Sequence, residues 1–358
     1  MANVTYLLGA GASAGKRGKD LPGGNPNDNR IVEGLPCVKD IPNRLKNLAI
    51  LIRSARIPQD PIHEDVEGRH LYSYDDWNEV RTQLLKDIHE LQTKSAEYST
   101  IDTYAKKLYL TSDLEALSHL ERMLAFYFIV EQILTKPDSR YDTFFANVLQ
   151  RGRLMPKNIK IISLNYDSQF EIAYNEYNND LHKLNVGTKK YSDFQEYSIV
   201  KINGTATFEN MQQEIPVFRK KVRQHIKGQE WNLQLLYDII PIYLQYVVNY
   251  NKDSRYCTDL SFAFDEQNYP SDAIFRWADE QIEKTDALVV IGYTFPFFNR
   301  EIDRRLLARL RPSAKIYIQD LNTEYVKQSL QAVLTDAQRD IPIFEMKHTD
   351  QFYLPPEL

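Results

Sequence analysis

The chain has 358 residues, 43% of them hydrophobic and 26% charged. This is the composition of an ordinary soluble globular protein, long enough for one large domain with an insertion or for two domains. Forty-four Lys and Arg against 49 Asp and Glu leave a formal charge of −5, so no global basic field argues for direct nucleic-acid binding. The N-terminus lacks the basic and apolar regions of a signal peptide, and no run of about 20 apolar residues offers a membrane span. The two cysteines, Cys37 and Cys257, are too few and too far apart for a disulfide framework or a paired-cysteine metal knuckle. A cytoplasmic, metal-free protein is the expectation.

The first expected strand is Asn3-Val4-Thr5-Tyr6-Leu7-Leu8, an apolar run that ends in Gly9-Ala10-Gly11-Ala12-Ser13. Glycine allows a sharp turn and lets a phosphate approach backbone N–H groups. Strand, glycine turn and helix together read as the opening of a dinucleotide-binding fold, although the same residues also suit a plain strand-ending turn. Lys16 to Asn29, rich in Gly, Pro, Asn and Asp, reads as a loop, either a lid over a ligand or a surface insertion. Order resumes at Gly34-Leu35-Pro36. Ile41-Pro42 then leads into a helix with Leu45, Leu48, Ala49 and Ile52 on one face.

From Tyr74 to Gln150 the pattern is helical. Trp77, Val80, Leu84, Ile88 and Leu91 form one apolar stripe, and Leu110, Leu114, Leu117, Leu120, Leu124 and Phe128 form another. This reads as an inserted helical subdomain over residues 61–150, able to cover the nucleotide cleft or to carry an oligomer contact. Its His89 and His119 are single histidines on helices and fit surface or core positions better than a metal site.

Strand signals return at Ile159 to Leu164 and stop at Asn165-Tyr166-Asp167. Open α/β sheets place ligand-binding groups at such a carboxyl end; a turn at Asn165 and a helix cap at Asp167 would explain the same residues. The next strand, Ser198 to Ile202, ends in Asn203-Gly204-Thr205. The segment that follows, 206–268, holds a basic run (Arg219, Lys220, Lys221, Arg223, Lys227) that reads as a solvated helix face. It also holds an aromatic stretch, Leu233 to Tyr250, suited to a core or a subunit interface. The last third alternates regularly: a helix over Ser271 to Lys284, and a strand Ala287 to Ile291 ending in Gly292-Tyr293-Thr294. A helix carrying Ile302, Leu306, Leu307 and Leu310 follows, then a strand Lys315 to Ile318 ending in Gln319-Asp320-Leu321-Asn322. A helix Thr323 to Leu334 and a strand Ile341 to Met346 complete the pattern. The expected class is α/β: a Rossmann-like, mostly parallel sheet with helices on both faces, built from 1–60 and 151–358 around the helical insertion.

The order of these strand ends resembles the sirtuin superfamily, and most closely its bacterial branch of sirtuin-like proteins that cleave NAD in antiviral defence. Gly9 to Ser13 is similar to the family's first phosphate-binding turn, and Gly34-Leu35-Pro36 to the Gly-aliphatic-Pro that follows it. Asn165-Tyr166-Asp167 stands where the family has its Asn-x-Asp active-site triplet. Ile291-Gly292-Tyr293-Thr294-Phe295 resembles the late strand that touches the adenosine half. The resemblance implies an NAD+ glycohydrolase that releases nicotinamide and ADP-ribose. Gly9, Ala10, Gly11, Ala12 and Ser13 would lie at the pyrophosphate, Gly34, Pro36 and Gly204 beside them, Gly292, Tyr293 and Thr294 near the adenosine, and Asp320 or Asn322 at its ribose. Asn165 would hold the ribose hydroxyls or the attacking water, with Asp167 orienting that neighbourhood.

Two departures from the family bear on chemistry. Two distant cysteines cannot build the four-cysteine zinc module of deacylating sirtuins, so no zinc and no protein deacylation are expected. Lys201-Ile202-Asn203-Gly204-Thr205 looks like the family's Lys-aliphatic-His-Gly-Ser/Thr with Asn203 in the histidine's place, and Asn has no basic site near neutral pH. Three explanations stand: an inactivated variant, a natural pseudoenzyme, or a cleavage that needs little base catalysis. A nucleotide-binding assembly subunit is the non-enzymatic alternative. An ordinary Rossmann oxidoreductase is disfavoured, because Gly15 and Gly18 miss the third glycine of Gly-x-Gly-x-x-Gly. The chain also ends soon after its last expected strand. By analogy this implies a separate trigger, such as a HerA-type translocase ATPase, a short Argonaute or a nucleotide-binding companion; a homo-oligomer is expected as well.

Overall fold

The computed structural model describes residues 2–20, 23–28, 31, 33–55, 74–150, 154–178, 184–188, 197–207, 239–240, 242–248, 258–262, 264 and 272–358. The chain divides into two compact units, one of residues 1–37, 135–206 and 259–358, the other of residues 38–134 and 207–258.

The first unit is built on seven strands: β1 Val4–Leu8, β2 Ile159–Ser163, β3 Val186–Gly187, β4 Ile199–Lys201, β5 Ala287–Ile291, β6 Lys315–Gln319 and β7 Ile343–Met346. All pair in parallel in the order β3-β4-β2-β1-β5-β6-β7. Short strands buried on both faces read as continuous apolar runs, which is why β1 and β5 were legible as VTYLL and ALVVI. Side chains alternate between two cores. Leu7, Ile162, Val200, Leu288, Val290, Ile316 and Ile318 face one core, packed with Phe275 and Ile282, Leu306, and Leu330. These come from helices Asp272–Lys284, Arg300–Leu307 and Thr323–Gln331. Tyr6, Leu8, Ile161, Ile199, Val289 and Ile291 face the other, against Tyr141, Phe144 and Phe145 of helix Ser139–Val148 and Phe170 and Tyr174 of helix Gln169–Asn178. The result is a Rossmann-like α/β fold with helices on both faces. The two-residue β3 escaped the sequence reading because it is too short to show a period.

The second unit is helical, with α1 Ile41–Ser54, α2 Tyr74–Glu97, α3 Ile101–Leu110 and α4 Leu114–Leu134 among its described residues. Leu45, Leu48, Ala49 and Ile52 of α1 are buried, as are Trp77, Leu84, Ile88 and Leu91 of α2, and the two helices pack together. Continuing the helix numbering along the chain, α5 is Ser139–Val148, α6 Gln169–Asn178, α7 Asp272–Lys284, α8 Arg300–Leu307 and α9 Thr323–Gln331. The unit boundaries therefore differ from the expected 61–150. α1 belongs to the helical unit through α2, whereas α5 belongs to the sheet unit through its aromatic face.

The second stripe also needs correction: Leu110 and Leu114 are exposed at 68% and 54%. Thr111 to Asp113 break the helix, with Ser112 at φ +58, and the phase of the apolar face is reset across that break. Of the aromatic stretch, Ile239, Ile240, Ile242, Tyr243 and Val247 are buried. The basic run from Arg219 to Lys227 and Cys257 lie outside the described residues. Among the described residues no helix is long and apolar enough to cross a membrane.

Candidate functional site

β1 is the topological switch point. The chain runs outward from it through β2 and β4 on one side and through β5, β6 and β7 on the other. In open α/β sheets the crevice beyond the carboxyl ends at such a point holds the ligand. The residues singled out from the sequence meet at that edge. Asn165, just past β2, donates through Nδ2 to the Gly9 carbonyl at 2.8 Å and stands 3.4 Å from Ser13 Oγ. Ser13 Oγ donates to Asp167 Oδ1 at 3.1 Å. Asn203, past β4, donates through Nδ2 to the Leu164 carbonyl at 3.0 Å.

The turn after β1 is a short 3-10 helix, Ala10–Ala12. Its glycines are required by the close approach of the loop after β5. A Cβ on Gly9 would lie 2.6 Å from the Gly292 carbonyl, one on Gly11 2.6 Å from Gly292 Cα, and one on Gly292 2.3 Å from Gly11. Gly292 also has φ +59, a conformation that favours glycine.

Three of the four amides expected to face a pyrophosphate donate within the protein: Gly9 to Ile291, Gly11 to Gly292 and Ala12 to Gly9. Ala10 is the exposed residue of the turn. Ser13 is 1% exposed and its hydroxyl is a buried node, 2.9 Å from Tyr141 Oη as well as bonded to Asp167. It supports the turn from inside instead of reaching outward to a phosphate. Gly34-Leu35-Pro36 is buried against the same turn, with Leu35 N donating to the Ser13 carbonyl at 2.6 Å and Gly34 at φ +74.

Asp167 Oδ1 also accepts from Gln169 N at 3.0 Å at the start of α6, the helix-cap role. Burial holds its carboxyl above the usual carboxylate range, against the pull of the Lys201 cation. Lys201 is 1% exposed, donates to the Asp167 carbonyl and pairs with Glu171 at 2.9 Å. Asn203 is 5% exposed, and its Oδ1 is buried without a hydrogen-bond partner. An orphaned buried acceptor costs free energy unless a donor reaches it, so this oxygen suits a hydroxyl or a water. Gly204 has φ +69, and a Cβ there would meet the Asp259 carbonyl at 1.7 Å. Its role is to let the chain turn beneath Asp259.

The far side of the edge is built differently. Tyr293 is buried, with Oη donating to Asp303 Oδ1 at 2.7 Å, and Thr294 is exposed. Asp320 Oδ1 accepts from Asn322 N at 2.8 Å, and Asn322 Oδ1 caps α9 by accepting from Tyr325 N at 3.2 Å. The expected ribose contact at Asn322 is thus a helix cap.

The sequence reading missed Tyr141, Asp138 and Arg140, all at the start of α5 and all joined to the first turn. Asp138 at the N-cap of α5 carried a local signal; nothing in the sequence tied that helix to a turn more than 120 positions earlier. No protein-family model matches the chain, and no curated protein matches it in sequence.

Proposed function

We propose that this chain binds NAD+ at the carboxyl edge of its sheet and is built for cleavage of the nicotinamide–ribose bond, as an NAD+ glycohydrolase effector of bacterial antiphage defence. Its turnover in this sequence is held low by Asn203. The observation that carries the reading is the convergence at the switch point of Asn165, bonded to the Gly9 carbonyl, and Asp167, joined to the same turn through Ser13 Oγ, with the unpartnered Oδ1 of Asn203 on the next strand end but one.

In this reaction nicotinamide leaves as a neutral ring while the ribose takes on oxocarbenium character. A protein assists by fixing hydroxyl hydrogen bonds that tighten in the transition state. Asn165 would hold ribose hydroxyls or the attacking water, and Asp167, bonded to Ser13 and to the start of α6, would orient that neighbourhood.

Position 203 is suited to an imidazole. The Leu164 carbonyl that now accepts from Asn203 Nδ2 could accept from an imidazole Nδ1–H. That bond would select the tautomer with a free, basic Nε2. Such a base typically contributes about 10² to 10⁴ in rate. We therefore expect Asn203→His to release nicotinamide from NAD+ faster than the native chain by about that factor, with little change in NAD+ affinity by isothermal titration. Equal rates in both chains would sink the base assignment, and absence of NAD+ binding in both would sink the NAD+ reading itself.

Asn203 also favours a second reading, an inert NAD+-binding scaffold subunit of a defence complex; binding without cleavage even in Asn203→His would select it. Assembly with copies of itself and with a separate activator, whether a HerA-type ATPase, a short Argonaute or a nucleotide-binding companion, belongs to the same proposal. Its basis is analogy.

A further inference from the structure

α5 begins with an Asp138-Ser139-Arg140 sequence whose two charged side chains grip the turn after β1 from opposite ends. The Arg140 guanidinium donates through Nη2 to the Gly11 carbonyl at 2.9 Å and to the Ala12 carbonyl at 3.3 Å. Its Nε donates to Asp138 Oδ2 at 2.9 Å. Asp138 Oδ2 in turn accepts from Gly15 N at 3.0 Å, and its Oδ1 from Arg140 N. Both residues are buried. A planar fork with donors in fixed directions holds two carbonyls and a carboxylate in one set geometry, whereas a lysine's three donors share a single freely rotating nitrogen.

A peptide unit is planar and trans, so its N–H points opposite to its C=O. Fixing the carbonyls of Gly11 and Ala12 on Arg140 therefore fixes the direction of the Ala12 and Ser13 amides. The guanidinium is itself held. It lies 5.1 Å over the Phe352 ring, and Nη1 reaches the Thr349 carbonyl at 3.5 Å. That C-terminal segment is pinned to β6 by Gln319, whose Nε2 donates to the His348 and Gln351 carbonyls at 2.6 Å and whose Oε1 accepts from Tyr353 N at 3.0 Å. Gln319 also passes its main-chain carbonyl to Gly292 N at 3.0 Å. The C-terminal segment, Arg140 and the two glycine loops thus form one connected hydrogen-bonded frame.

We infer that Arg140, paired with Asp138 and backed by residues 348–353, is the positioning residue of the nucleotide-binding turn. It sets the turn's shape before ligand arrives and touches no ligand atom. This inference rests on the NAD+ reading of the site, which it deepens. The test uses the full chain, native and with Arg140→Lys, plus a charge-neutral double variant, Asp138→Asn with Arg140→Gln, should the single change fail to fold.

Two measurements are paired: amide hydrogen exchange without ligand, and NAD+ affinity by isothermal titration. We expect protection of β2 and β5 amides to be retained. Exchange at residues 12 to 15 should speed up, and NAD+ should bind roughly tenfold or more weakly, as a misplaced positioning group commonly costs. Unchanged exchange at 12 to 15 overturns the grip on the turn. Faster exchange with unaltered NAD+ affinity overturns the positioning role. A native chain that fails to bind NAD+ overturns the functional reading and the positioning role together, while the exchange data still decide whether Arg140 holds the turn.

Discussion

Asp303 is a carboxylic acid whose chemistry is strongly shaped by burial. It sits on α8 beneath the loop after β5, takes a hydrogen bond from Tyr293 Oη, and leaves Oδ2 without a partner. Asn299 Nδ2 completes the cluster by donating to Tyr293 Oη at 2.9 Å. Burial pushes the Asp303 carboxyl up to about 7, against the Tyr293 hydrogen bond and the Arg300 charge. The sign follows from proton counts. Between the unfolded value near 4 and the folded value, the native state holds a proton that the unfolded chain has lost. Stability therefore falls as pH rises through that window and levels off above it. Asp303→Asn, which keeps an acceptor for Tyr293, should abolish this slope. Urea unfolding at pH 5.5 and pH 8 should show the variant gaining on the native chain by about 2 kcal/mol, the worth of the roughly 1.5 pH units of that window that lie above pH 5.5. Parallel pH profiles in the two proteins would refute it. The glycines make a related point at this scale. Their positions were legible as a turn, but the neighbour that requires their bare Cα atoms is another loop, nearly 300 positions away in the chain.

The elements themselves were well marked where a run of apolar residues met a polar stop. β5 was read with the bounds it has, because ALVVI is buried on both faces and ends at a glycine in a left-handed conformation. β6 extended one residue further, to Gln319, whose amide serves the C-terminal segment and so looked like part of the polar stop. The start of α9 shows how a cap can pass for a ligand group. Asn322 at the end of a parallel strand suits a ribose contact, yet its Oδ1 is bonded to Tyr325 N. We expect Asn322→Ala to cost about 1 kcal/mol of stability in urea, the usual worth of such a cap, with NAD+ affinity unchanged. A marked loss of affinity at native stability would return Asn322 to the binding site.

At the scale of the whole molecule, the chain carries two separately packed units, a parallel sheet with two cores and a helical unit of its own. The helical unit includes a buried Glu131 paired with Arg44; burial raises the Glu131 carboxyl while the guanidinium opposes the shift. If the sheet unit binds NAD+, binding must stabilise the native state. NAD+ at a hundred times its dissociation constant should add about 2.7 kcal/mol to the unfolding free energy, seen as a rise in the melting temperature that NAD+ produces and nicotinamide alone does not. No rise at saturating NAD+ would count against the binding reading.

By itself the sequence determined the strand–helix alternation, the parallel sheet and the polar stops at its carboxyl edge, because burial on both faces and the need for crossovers write a period into the chain. Only the tertiary structure decided that α5 leaves the helical segment to join the sheet. It alone brought Arg140 and Asp138 beneath the first turn and turned Ser13 inward. Those contacts join residues more than 100 positions apart through aromatic packing and a few hydrogen bonds, which depend on where elements pack and leave no periodic trace in the order of residues.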